Sequence, residues 1–79
     1  MVWFYARGKE RRSCETRLAL VGDGYELVIR EGRRAWVEPF TELRQLLARE
    51  HELLAAWKAQ GWTNEDGTYA SVRWGSAEA

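Results

Sequence analysis

The chain has 79 residues with twelve basic and twelve acidic side chains, five Trp, one Cys and one His. A domain of this size buries only roughly 60–65% of the surface that its unfolded form exposes, so its core is marginal alone. One Cys and one His exclude an internal disulfide and a Cys/His zinc site, and zero net charge gives no overall field toward nucleic acid or membrane.

Val2 to Arg7 opens on three aromatics and suits a first strand. Between Arg7 and Arg12 four basic residues (Arg7, Lys9, Arg11 and Arg12) stand against Glu10, and this is read as a basic hairpin tip. Residues 1–38 hold eight basic and six acidic side chains, whereas residues 39–79 hold four and six, so the charge is unevenly spread. Cys14 to Val21 alternates, with Thr16, Leu18 and Leu20 on one side and Glu15, Arg17 and Ala19 on the other. Tyr25 to Arg30 places Tyr25, Leu27 and Ile29 opposite Glu26, Val28 and Arg30, and Arg34 to Glu38 is a shorter fourth strand.

Asp23-Gly24 is a strong two-residue hairpin signal, because a type I′ turn needs positive φ at both central positions. That turn predicts Leu20 opposite Leu27 and Leu18 opposite Ile29, one aliphatic face shared by two strands. A two-residue turn after the third strand sets Trp36 on the same face, and a three-residue turn sets it outward. The opposite face then carries Ala19, Val21, Val28, Ala35 and Val37 among Arg17, Arg30, Glu15 and Glu26. Aromatics occupy both parities of the first strand, so either Trp3 and Tyr5 or Val2 and Phe4 point to that face.

Phe40 to Gln60 reads as one amphipathic helix, with Thr41 as N-cap or Pro39 near the first helical position. Leu43, Leu46, Leu47, Leu53, Leu54 and Trp57 recur at helical spacing, and Glu50 falls near the middle of their stripe. This carboxylate is the sharpest anomaly in the chain. It is expected at an edge of the helix–sheet contact or paired with an Arg from a strand. Gly61 fits a C′ glycine, which brings Trp62 back onto the last turn near Trp57. Residues 1–62 form the expected domain, an α+β antiparallel meander of about four strands with one C-terminal helix (ββββα). Residues 63–79 form a tail, in which 69–74 suits either a short fifth strand or a mobile segment, with disorder expected beyond it.

No nucleophile has a base suggested by spacing, and Gly22-Asp23-Gly24 lacks the strand-to-helix context of a phosphate loop, so the chain is read as non-catalytic. No cofactor or metal is expected. The N-terminus is too short and aromatic for a signal-peptide core, and no apolar run approaches the ~20 residues of a membrane helix. A soluble, cytoplasmic protein is therefore expected.

One helix can cover only one sheet face, which leaves the other for a partner. Self-association into a homodimer through Ala19, Val28, Ala35 and Val37 is the first expectation. The alternative is single-stranded nucleic acid, with Trp3 and Tyr5 stacking on bases and Arg7, Lys9, Arg11, Arg12, Arg17 and Arg30 on phosphates. Four antiparallel strands followed by one helix, over about residues 2–61, resembles the order of elements in the Whirly and Pur-alpha families. That resemblance implies single-stranded nucleic acid binding and carries no residue roles.

Overall fold

The computed structural model describes residues 1–65, and the segment 69–74 read as a fifth strand or a mobile stretch lies outside the described residues. Four strands, β1 (Val2–Arg7), β2 (Glu10–Leu18), β3 (Tyr25–Glu31) and β4 (Arg34–Phe40), form an antiparallel meander. The helix α1 (Leu43–Ala59) follows, then a two-residue strand β5 (Thr63–Asn64). The α+β arrangement expected from the sequence is the one adopted, with sheet order β4-β3-β2-β1-β5. Thr63 and Asn64, expected to begin the tail, instead pair with Ala6 and Tyr5 at the edge of β1.

Turn chemistry explains two of the three hairpins. Gly8-Lys9 joins β1 to β2, and Gly32-Arg33 joins β3 to β4, with Gly8 and Gly32 at φ 62° and 63°. Only glycine takes this left-handed region without a steric cost. The second turn sets Trp36 opposite Ile29, on the aliphatic face.

The expected Asp23-Gly24 turn is corrected. β2 ends at Leu18, which faces Tyr25, while Thr16 rather than Leu20 faces Leu27 and Cys14 rather than Leu18 faces Ile29. Residues 19–24 form a loop, closed by the Ala19 N–H donating to the Gly24 carbonyl at 3.0 Å. Cross-strand charge favours the observed register. The tighter register would set Arg17 opposite Arg30, whereas the observed one sets Arg17 opposite Glu26 and Arg12 opposite Glu31. The slip is an even number of residues, so each β2 side chain keeps its face. Leu20 and Val21 instead leave the sheet and stand 76% and 88% exposed.

The inner face is covered by α1. Tyr5, Cys14, Leu27 and Ile29 from the sheet pack with Leu46, Leu53, Trp57 and Trp62 as the buried core. Tyr5 and Trp57 meet edge to face at 5.5 Å between centroids, a favoured aromatic geometry. Thr41 is not the N-cap, because that position falls on Glu42, which makes no side-chain capping hydrogen bond. The C-terminal end follows expectation. Gly61, at φ 94°, donates its N–H to the Lys58 carbonyl, and the Trp62 N–H reaches the Trp57 carbonyl, both at 3.0 Å. This double closure is the Schellman pattern, and it returns the Trp62 ring to 6.5 Å from Trp57.

Candidate functional site

Strand register decides what the outer face presents. Val2, Phe4 and Ala6 of β1 point outward, as do Ser13, Glu15 and Arg17 of β2, Val28 and Arg30 of β3, and Ala35 and Val37 of β4. No described element packs on this face. Val28 lies in line with Val37 on one side and Glu15 on the other, and beyond Glu15 comes Val2. Two apolar strips result, one along β4 and β3 and one along β1, with a polar band on β2 between them. Phe4 and Val37 are 36% and 45% exposed, while Val28 retains only 4%. Ala19, expected with this patch, sits in the β2–β3 loop and does not join it.

The arginines of the outer face are internally matched. The Arg17 Nε donates to the Glu26 carboxylate at 2.9 Å, and Arg30 lies 3.7 Å from Glu15. Arg11 lies 3.7 Å from Glu65. Of the two parities open to the first strand, Val2 and Phe4 face outward: Trp3 and Tyr5 share the helix-facing side, where they offer no stacking surface on the open face, and Tyr5 is buried in the core. Arg7 and Arg12 also stand on the helix-facing side, where their guanidinium carbons lie 4.9 Å and 4.2 Å from the Trp62 ring centroid. The sheet face therefore does not combine exposed aromatics with unpaired cations. Of the candidate contacts, Arg7, Lys9, Arg11 and Arg12 are brought together at one end of the sheet, around the Gly8-Lys9 turn.

Glu50 lies off the centre of the helix contact. Leu46, Leu53 and Trp57 are the buried positions of α1, which places Glu50 about 40° to one side at about 100° per residue. Leu43 and Leu47, which draw the apparent stripe over Glu50, are half-exposed. The carboxylate lines a cleft of ≈ 530 Å³ between β1 and α1, with Trp3, Tyr5, Leu47, His51 and Leu54. The expected strand Arg does not reach it. Glu50 Oε2 and Trp3 Nε1 are both buried without a hydrogen-bond partner among the described residues. The arginine beside it in sequence, Arg49, turns to Glu38 of β4 instead.

Cys14 sits under the helix with no exposed surface. Burial pushes its thiol up to about 12, with the Glu50 carboxylate adding to the shift. A thiol so placed stays protonated and is a core side chain, not a nucleophile.

Among the described residues no group of His, Cys, Asp and Glu is arranged to hold a metal ion. No described helix is long and apolar enough to cross a membrane. Compared with known proteins, the chain matches no family model, no curated protein and no solved structure.

Proposed function

We propose that the protein is a small non-catalytic assembly module that pairs with a second copy through the outer face of its sheet. The observation that carries this reading is a sheet face on which no described element packs, with Phe4 and Val37 36% and 45% exposed on strips either side of a band of matched charges. A small domain with a one-sided core gains most from covering its second face. A two-fold axis running along the strands lays the Val37 strip of one copy on the Phe4 strip of the other. It also brings the Arg17–Glu26 pairs together near the axis, where each Arg meets the other copy's Glu. Internally paired charges favour such a contact over a polyanion, because the face offers no surplus of positive charge.

The test is the solution mass of Val37→Glu and Phe4→Ser variants. Val28 is already covered within the monomer, so these two exposed positions probe the seam without opening the core. Folded monomers from both variants, set against a dimeric parent, support the reading. Variants that keep the parental dimer mass overturn it.

A further inference from the structure

The charge of this protein is neutral in sum and polarised in space. Two hairpin turns, Gly8-Lys9 and Gly32-Arg33, meet at one end of the sheet, where the Gly32 N–H donates to the Arg11 carbonyl at 3.3 Å. The helix C-terminus arrives at the same end, since Arg7 Nη1 donates to the Gln60 carbonyl at 3.0 Å. Arg7, Lys9, Arg11, Arg12, Arg33, Arg34 and Lys58 gather there against Glu10, Glu31 and Glu65. The opposite end is balanced, with Asp23, Glu26 and Glu42 against Arg17, Arg44 and the Met1 ammonium, which donates to the Thr16 carbonyl at 3.1 Å.

The basic end is also shaped. Lys9, Arg11, Arg12 and Trp62, with the carboxylates of Glu10 and Glu31, line a cleft of ≈ 490 Å³ between the two turns. Arg12 is held over both Trp57 and Trp62, at 5.5 Å and 4.2 Å, so one cation of its wall is fixed before any ligand arrives. Arg7, Arg11 and Arg12 are matched by Glu10, Glu65 and Glu31. Among the described residues no carboxylate forms an ion pair with Lys9, Arg33 or Arg34, which leaves Lys9 in the cleft and Arg33 and Arg34 at the neighbouring β3–β4 turn.

We propose that this end of the sheet binds the phosphodiester backbone of a nucleic acid. The three unmatched cations are spread over two turns and do not converge on one point, which suits successive phosphates of a chain better than a single phosphate group. Trp57 and Trp62 beside them are buried, and Arg34 already covers Trp36 at 5.4 Å, so no tryptophan face is offered to a base at the turns. Phe4, 36% exposed, lies on the outer face in a separate cavity of ≈ 230 Å³ with Arg11, Arg12 and Arg30. Recognition at the turns is therefore of the backbone. This site is separate from the dimer face, and a dimer along that face leaves it open.

The experiment is fluorescence anisotropy with a labelled oligothymidylate and a labelled mixed-sequence duplex at ~50 mM and ~200 mM salt. Three phosphate contacts predict a slope of log K against log salt of about −2 for the single strand, a loss of roughly fifteenfold over that range. The triple variant Lys9→Ala, Arg33→Ala, Arg34→Ala is expected to weaken low-salt binding about tenfold or more. The double variant Lys9→Glu, Arg33→Glu, at two exposed turn positions, is expected to lose it with an unchanged circular dichroism spectrum. Absence of binding at low salt overturns the proposal, as does salt-independent binding. Loss of binding through Arg17→Ala and Arg30→Ala, with the turn variants unaffected, would put the strand on the open face and overturn it equally.

Discussion

Arg49 of α1 holds both carboxylate oxygens of Glu38 of β4, with Nε at 2.8 Å from Oε1 and Nη2 at 3.2 Å from Oε2. The same carboxylate accepts the Trp36 indole N–H at 3.1 Å, so one acid ties helix, strand and aromatic ring together. The Arg49 hydrogen bonds hold the Glu38 carboxyl below its ordinary value, and the pairing raises the Arg49 guanidinium in turn. Arg49→Met is expected to lower stability by about 1–2 kcal/mol near neutral pH, a range already reduced for the partial exposure of both side chains. Because the folded carboxyl is depressed, that contribution is present above the ordinary carboxylate range and is lost as pH falls through the folded value. Urea unfolding of parent and variant at neutral and acid pH checks this. A difference that does not shrink in acid would contradict it.

Glycine positions separate conformational need from steric need. Gly22 takes φ 75° with open space where a Cβ would stand, whereas Gly24 takes φ 115° and its Cβ would lie 2.8 Å from the Phe40 carbonyl oxygen. Gly22→Ala should therefore lose about 1 kcal/mol, the left-handed penalty alone. Gly24→Ala should lose distinctly more, because the obstacle is backbone and cannot rotate away. Paired thermal melts decide this, and equal losses would show that the β2–β3 loop moves freely away from β4.

Glu50 is expected to oppose stability. Its Oε2 is buried without a hydrogen-bond partner among the described residues, beside the half-exposed Leu47 and the partly buried Leu54. Glu50→Leu replaces an unmatched acceptor with an apolar side chain and should raise stability by roughly 1 kcal/mol. Chemical denaturation reads this directly. A destabilised variant would mean that the carboxylate is held by an interaction worth more than its burial.

Much of the fold is legible in the residues. The alternation of Leu27 and Ile29 against Val28, the two-residue turn before Trp36 and the Gly61 stop all act through local chemistry, and the structure follows them. The β2–β3 register does not follow its local signal, because Asp23-Gly24 competes with pairing along the whole strand. The opposition of Arg17 and Arg30 that the tight turn would create was present in the sequence as a counter-signal. The facing of the first strand was legible as well. A two-residue Gly8-Lys9 turn sets Arg7 against Glu10 and hence Trp3 against Cys14, and Cys14 against Ile29 places Trp3 and Tyr5 inside. The basic end was visible only as a run at residues 7–12. Its partner, Arg33-Arg34, joins it through sheet topology, which no local pattern carries.

The central claim is that the outer sheet face belongs to a second copy of the chain. Light scattering of the full chain across a dilution series tests it most directly. A mass twice that of the chain, persisting into the low micromolar range expected of a specific dimer at about −8 kcal/mol, is the predicted result. A chain-mass monomer at every concentration would contradict it and leave Phe4 and Val37 as ordinary exposed side chains of a one-sided sheet.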